Sequence, residues 1–226
     1  MVSSLSSPPQ PICADSGPVS DSLHVGGSHL ALCNYRVVIL QLMKGIIFNL
    51  LEEIVRREYS VDTWDAVLEK ADVDGAYTSL GSYPDEELSR IVGAVATLFD
   101  ASPVDMLRIT GRRAMPFLVQ KYPEFFLRHS GTRSFVLTLN DIIHPEVRKL
   151  YPGAETPDFV FDTTSPDVLS IEYRSQRKMC AFAEGLIHGA ADYYGETATI
   201  TQPACMHRGD EACTLHVSFQ KRTGDA

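Results

Sequence analysis

The chain has 226 residues, of which 44% are hydrophobic and 22% charged, and its formal net charge is −9 at pH 7. This composition is typical of a globular protein, and the acidic balance argues against nucleic-acid partners and anionic membrane surfaces, which both bind clustered Lys and Arg. No apolar run approaches the roughly 20 residues of a membrane helix, and five scattered cysteines, an odd number, favour a reducing cytoplasm over a secreted disulfide framework.

The N-terminal 42 residues differ in composition from the rest of the chain. Residues 1–27 are rich in Ser, Pro and Gly and poor in large apolar side chains, which predicts disorder. Regular helical periodicity begins only after Met43. We therefore expect a disordered or non-native extension over residues 1–42, a folded domain over residues 43–220 and a short tail over residues 221–226.

Helices are predicted throughout the first half of the domain. The first has one apolar face at i, i+3, i+4 spacing, formed by Ile46, Ile47, Leu50, Leu51, Ile54 and Val55. A second is expected over residues 62–71, and a third over residues 84–99 with Ser82 as its cap. A fourth begins at Ser102-Pro103, and Pro116 must bend it or begin a new helix. A fifth is expected over residues 134–151.

The second half changes to strand patterns. Apolar and β-branched runs predict strands over residues 158–161, 168–173, 197–201 and 214–219. A helix is expected over residues 176–194, with Gly195 as its C-terminal stop. Strands joined by hairpins beside helices predict an α+β fold in which an antiparallel sheet packs on a helical layer.

His144 is the first residue whose chemistry needs an explanation. It follows the segment Leu139-Asn140-Asp141-Ile142-Ile143 on an otherwise apolar helical face. A histidine there is either a structural core residue or a metal ligand, since neutral imidazole is the commonest metal-binding side chain and one histidine suffices for a proximal haem site. Spacing alone does not decide between the two.

A second motif lies about 30 residues further on, at Tyr173-x-Ser175-x-Arg177. A phenol, a hydroxyl and a guanidinium form a compact set of donors for carboxylates, and the arginine fork adds charge. The alternative is a Ser cap at a helix start with exposed arginines on both sides.

Three ordered motifs together resemble the haem–nitric oxide/oxygen-binding (H-NOX) domain family. They are Met43-Lys44-Gly45-Ile46, then His144 followed by Leu150-Tyr151-Pro152-Gly153, then Tyr173-x-Ser175-x-Arg177-Lys178-Met179, and the similarity extends to about Phe219. The resemblance implies a helical N-terminal subdomain packed on a C-terminal four-stranded antiparallel sheet with helices, and haem b between them. By it His144 is the axial ligand, Tyr173, Ser175 and Arg177 hold the propionates, and Pro157 presses on the macrocycle and distorts it.

The resemblance also implies which gas is bound. Oxygen-binding relatives carry a distal Tyr, Trp and Asn, and counting from the motifs places Phe182, Leu51 and Ala114 at those positions. None of these side chains donates a hydrogen bond, and Ile47 adds a further apolar wall. The expected protein is a bacterial stand-alone sensor, not an enzyme, that binds NO and CO but not O2.

Signalling in such a sensor is implied to follow weakening of the bond between iron and His144 when NO binds. The output is then expected to pass to a separate histidine kinase or cyclic-di-nucleotide enzyme. Pro145 directly follows His144, so the ligand is predicted at a kink or a helix start.

The C-terminal cysteines suggest a second metal. Cys180, Cys205 and Cys213 lie near His207, and tetrahedral zinc takes four Cys or His ligands. Some relatives hold zinc with cysteines at these three places and a fourth ligand where this chain has Gln202, so His207 is the candidate substitute. Buried or free thiols and a redox-sensing thiol pair remain open alternatives.

The sequence gives less support to a non-haem binding domain or to an enzyme. A non-haem small-molecule-binding domain, similar to vinyl reductases, also fits a pair of cysteines around a Gly-Asp turn. Neither a nucleophile elbow nor a phosphate-binding loop nor a paired-carboxylate arrangement is present to suggest an enzyme.

Overall fold

A computed structural model of the chain describes residues 41–222. The predicted extension, apart from its last two residues, and the tail beyond residue 222 lie outside the described residues. Within residues 41–222 no helix has both the length and the apolar composition needed to cross a bilayer.

The first half of the domain is a layer of helices. Its elements are β1 (Leu42–Lys44), α1 (Gly45–Glu58), α2 (Val61–Ala71), β2 (Ser82–Pro84), α3 (Asp85–Leu98) and α4 (Pro103–Lys121). Two short strands that periodicity did not indicate, β1 and β2, form an antiparallel pair before α1 and α3. Ser102 caps α4 as predicted, because its Oγ accepts a hydrogen bond from the backbone N–H of Asp105 at 3.1 Å.

The structure corrects one expectation about helix ends and narrows another. Ser82 does not cap α3, since it lies in β2 and the residue before the helix is Pro84. Of the two effects expected of Pro116, a bend or a new helix, the structure excludes the second, because α4 continues through Pro116 to Lys121. The preceding residues Ala114 and Met115 are 0% and 3% exposed, so packing on this turn compensates for the hydrogen bond that proline removes.

The predicted fifth helix is three separate segments. They are α5 (Thr132–Val136), a π-helical turn (Leu139–Ile143) and α6 (His144–Leu150). Pro145 has no backbone N–H to continue the pattern of the preceding turn, so a new helix begins at His144 with Pro145 in its first turn. The prediction that Pro145 places His144 at a kink or a helix start is confirmed.

The second half contains the four-stranded sheet. Its strands are β3 (Asp158–Asp162), β4 (Leu169–Arg174), β5 (Glu196–Ala204) and β6 (Cys213–Lys221), in the order β3-β4-β6-β5 with every neighbouring pair antiparallel. The helix α7 (Cys180–Tyr193) begins later than predicted, because Lys178 has a left-handed φ of 51° that ends the preceding turn. The α+β fold class is confirmed.

Helices α4 and α7 pack so closely that their backbones touch. A Cβ added to Gly185 on α7 would lie 2.1 Å from the carbonyl oxygen of Arg108 on α4. A Cβ added to Gly111 on α4 would lie 2.3 Å from the carbonyl oxygen of Phe182 on α7. Because neither backbone can give way without moving a whole helix, α4 of the helical layer and α7 form one rigid pair.

We predict that Gly185→Ala destabilises the protein by about 1–3 kcal/mol, since the added methyl group overpacks a backbone contact. The matched control is Gly93→Ala in the interior of α3, where an added Cβ meets nothing within 4 Å. Alanine there is expected to stabilise the helix by roughly 0.5–1 kcal/mol. Urea unfolding of both variants measures the difference, and equal stabilities would contradict the close contact.

Candidate functional site

A cavity of about 310 Å³ lies between the helical layer and the sheet. Its wall combines side chains from α1, α4, α6, α7, β3 and β4 with the turn that joins β4 to α7. Most of the residues predicted for the site reach this one cavity: His144, Tyr173, Ser175, Arg177, Pro157, Ile47 and Phe182.

His144 enters the cavity from the first turn of α6. Its ring stacks on Phe159 of β3 with the centroids 5.6 Å apart and the planes inclined by 25°. The preceding π-helical turn is tied to the same strand, because Asn140 Nδ2 donates to the carbonyl oxygen of Phe159 at 2.7 Å. Burial, helped by the charge of Arg148, lowers the pKa of His144 to about 4. The imidazole is therefore neutral at pH 7, which is the form that binds metals.

Tyr173 and Ser175 lie where β4 passes into the turn before α7. Tyr173 is 2% exposed, and burial raises its pKa to about 12 against the opposing effect of hydrogen bonds to Ser175 and the backbone of Met179. Ser175 Oγ accepts a hydrogen bond from the backbone N–H of Arg177 at 3.3 Å, which shapes the turn. The intervening residue Arg174 faces away from the cavity and pairs with Glu172 at 2.8 Å.

Arg177 is enclosed by carboxylates and carbonyl groups. Its side chain is 9% exposed, and its Nε lies 2.8 Å from Asp85 Oδ2 while its Nη2 lies 3.0 Å from Glu155 Oε2. Nη2 also donates to the carbonyl oxygen of Leu42 at 2.6 Å. The Asp85 contact is an ion pair without an aligned hydrogen bond, so within residues 41–222 the buried Nε–H and both Asp85 oxygens have no hydrogen-bond partner. Burial raises the pKa of Asp85 although Arg177 opposes the shift.

The helices α1, α4 and α7 give the cavity a wholly apolar wall. Their contributions are Ile46, Ile47, Leu50, Met115, Leu118, Phe182, Ala183, Leu186, Ile187 and Ala190. None of these side chains can donate a hydrogen bond.

Two of the predicted distal residues do not reach the cavity wall. Leu51 is 2% exposed and belongs to the core of the helical layer, and Ala114 is 0% exposed and packs with Leu50 and Ile54. Counting from the motifs selected Leu51 and Ala114, whereas the rotation of α1 and α4 turns their neighbours Leu50 and Met115 into the cavity.

Sequence patterns missed several polar residues of the site. Asp85 and Glu155 contact Arg177 from α3 and from the loop before β3, and nothing in their local sequence indicated it. Tyr122 and Tyr151 also line the cavity and hydrogen-bond to each other through their hydroxyl groups. For Tyr151 the sequence did offer a signal, because it belongs to the motif Leu150-Tyr151-Pro152-Gly153 that follows His144.

The three C-terminal cysteines meet as predicted, and none of them lines the cavity described above. Cys205 Sγ lies 3.8 Å from Cys180 Sγ and 3.8 Å from Cys213 Sγ, and all three residues are buried. Tetrahedral zinc with bonds of about 2.3 Å holds two thiolate sulfurs about 3.8 Å apart. Burial raises the pKa of Cys213 to about 12, whereas at Cys205 hydrogen bonds outweigh burial and lower the pKa.

The structure does not bring the predicted fourth ligand, His207, into the cysteine group. Its Nε2 lies 2.6 Å from the carbonyl oxygen of Lys178, because residues 206–208 form a separate turn beside the cysteines. Gln202, which occupies the position of the relatives' fourth ligand, has a buried side-chain nitrogen without a hydrogen-bond partner among the described residues.

Comparison with known proteins identifies the family to which this arrangement is similar. The family model described as Haem-NO-binding matches residues 44–202. This range includes every predicted residue of the cavity.

Solved structures agree with the family match over most of the domain. An H-NOX protein from Shewanella oneidensis in the Fe(II)NO ligation state is 32% identical, with a TM-score of 0.74, over 79% of this chain and 100% of that chain. An H-NOX from Shewanella woodyi in the Fe(II)CO state is 29% identical, with a TM-score of 0.69, over 81% of this chain and 97% of that chain. An H-NOX mutant from K. algicida, Fe(II) and unliganded, is 25% identical, with a TM-score of 0.71, over 80% of this chain and 98% of that chain.

Proposed function

This chain belongs to the Haem-NO-binding family, and from that premise we propose that it is a gas sensor that holds haem b in the cavity between the helical layer and the sheet. The observation that carries the proposal is the meeting, in one largely apolar cavity, of the neutral imidazole of His144 with the donors of Tyr173, Ser175 and Arg177. The family match favours this function over a non-haem domain similar to vinyl reductases.

The residues present fit a haem in chemical terms. His144 would hold haem iron through its neutral ring nitrogen, and the iron would supply the centre at which a diatomic gas binds. Arg177 carries a buried Nε–H without an aligned acceptor, and it already contacts two carboxylates, the same chemical group as a propionate. Tyr173 and Ser175 supply hydroxyl groups on the same side of the cavity.

Pro157 is proposed to shape the bound macrocycle. It lies in the cavity wall one residue before β3, next to Glu155 and Thr156, which also line the cavity. A rigid pyrrolidine ring fixed by the adjoining strand presents a bulky contact that does not yield readily.

The cavity wall supports selectivity for NO and CO over O2. The S. oneidensis and S. woodyi relatives are described in Fe(II)NO and Fe(II)CO states. Bound O2 is polarised and gains from a nearby hydrogen-bond donor, whereas α1, α4 and α7 offer only apolar side chains such as Ile47, Leu50 and Phe182. Leu51 and Ala114 do not line this wall. Leu50 and Met115 line it instead, and neither side chain can donate a hydrogen bond to a bound gas.

The signal is proposed to leave through His144 and α6. His144 would hold the iron, and an imidazole displaced from it would leave the first turn of α6 free to move from its position beside β3. Such a segment with two positions, biased by a ligand, is what allosteric signalling requires. We propose a separate histidine kinase or cyclic-di-nucleotide enzyme as the recipient.

The gas selectivity can be tested by absorption spectroscopy of the reduced protein. We expect NO and CO complexes but no stable O2 complex in air. Phe182→Tyr is expected to raise O2 affinity roughly tenfold to a hundredfold, because a buried hydrogen bond of about 1–3 kcal/mol is added.

The matched control is Phe219→Tyr, the same substitution on β6 outside the cavity wall. It should leave O2 affinity unchanged. A stable oxygen complex in the unmodified protein would mean that a donor does reach the gas, and the protein would then be an oxygen sensor.

We further propose that Cys180, Cys205 and Cys213 hold zinc. The support is the 3.8 Å spacing of their sulfur atoms, which suits tetrahedral coordination. His207 can complete the site only by turning away from Lys178, so its contribution is separable from that of the cysteines. A redox-sensing thiol group is the competing function of the same cluster, favoured by the lowered pKa of Cys205.

Elemental analysis of protein purified without chelator tests the zinc proposal. We expect close to one zinc per chain, lost in Cys213→Ser and weakened in His207→Gln if that residue completes the site. Protein without zinc, or zinc that survives Cys213→Ser, would contradict the proposal and leave the cluster as free thiols.

A further inference from the structure

Helix α6, which carries His144, is weakly attached to the rest of the domain. His144 is half-buried and none of the residues His144–Leu150 is fully buried, whereas α7 buries seven, among them Cys180, Ile187 and Ala190. Its side-chain bonds are local: Arg148 donates to Thr156 Oγ1 at 2.6 Å, and Lys149 pairs with Glu146 within the helix. Burial of apolar surface therefore does little to fix this helix.

The residue at the C-terminal end of α6 is the exception. Tyr151 is 6% exposed, and its hydroxyl lies 2.5 Å from the hydroxyl of Tyr122, the residue that ends α4. The two residues are 29 positions apart in the chain. Burial and the bond to Tyr151 raise the pKa of Tyr122 above its ordinary value, so the Tyr122 hydroxyl keeps its proton at neutral pH and is available for this hydrogen bond.

The tyrosine pair connects α6 to a rigid part of the protein. Tyr122 follows α4, which is locked to α7 through the backbone contacts at Gly111 and Gly185. Tyr151 begins the turn that leads to Glu155, Thr156 and Pro157 in the cavity wall, and its carbonyl oxygen accepts from the N–H of Ala154 at 2.9 Å. The N-terminal end of α6 is held separately, by the stacking of His144 on Phe159.

We propose that Tyr122 and Tyr151 are positioning residues: their hydrogen bond holds α6 against α4 and so sets how firmly His144 is kept in the cavity. The inference rests on the proposed function, because it assigns the pair a role in axial ligation by His144. One partly buried hydrogen bond corresponds to roughly a twofold to tenfold change in an equilibrium. That is weak enough for release of His144 to overcome, and strong enough to bias the position of α6.

The test compares Tyr122→Phe, Tyr151→Phe and the double variant, each of which keeps the ring and removes the hydroxyl. In haem-free protein, the backbone amides of α6 should exchange with solvent roughly twofold to tenfold faster than in the unmodified chain. The double variant should exchange no faster than the single ones, because each removes the same bond. Tyr193→Phe, on a 41% exposed ring outside the cavity, is the control and should change nothing.

In the haem-loaded protein the iron–histidine stretching band should move to lower frequency in the same variants. A larger fraction of their NO complexes should also lack the axial histidine. Three results would overturn the positioning role. They are an unchanged amide exchange rate in α6, additive effects in the double variant, and faster amide exchange with an unchanged iron–histidine band. Failure of the proposed function would look different, because then neither the variants nor the unmodified chain would show a haem spectrum. The exchange data would still decide whether the tyrosine pair holds α6.

Discussion

Burying polar groups beside apolar surface is costly unless each of them finds a partner or gives up its charge, and the cavity of this protein is organised around that cost. His144 meets it by losing its proton, since its pKa falls to about 4. The guanidinium of Arg177 meets part of it through its ion pairs with Asp85 and Glu155 and its hydrogen bond to the carbonyl oxygen of Leu42. Tyr122 and Tyr151 satisfy each other.

The same constraint separates the two sides of the cavity. Polar groups come from α6, from the end of β4 and from the adjoining loops, whereas α1, α4 and α7 contribute only apolar side chains. One side can therefore fix an anionic cofactor and ligate a metal, and the other can admit a small apolar gas. The two sides also differ in packing, because α4 and α7 touch through their backbones while α6 has no fully buried residue. Among the described α-helices, the one that carries the proposed ligand is the one without a fully buried residue.

Local patterns in the sequence predicted the features that depend on neighbouring residues. The periodicity of residues 46–55, the cap at Ser102 and the proline after His144 each act within a few positions, and the structure agrees with them. Features that depend on tertiary packing were not predictable. The choice of Leu50 over Leu51 is set by the rotation of α1 against its neighbours, and the ion pair of Arg177 with Asp85 joins residues far apart in the chain. The cysteine group shows both kinds of feature. The meeting of its three thiols was predicted, whereas the contact of His207 with the carbonyl oxygen of Lys178 was not.

The central claim is that His144 ligates haem iron in this cavity, and the ferrous absorption spectrum of His144→Gly tests it most directly. Removing the imidazole leaves space beside Phe159, so free imidazole should enter and take the place of the lost side chain. The account predicts that the variant loses the ferrous spectrum of the unmodified protein and that added imidazole restores it. A variant that keeps the original spectrum without imidazole would show that another residue is the ligand, and would contradict the account.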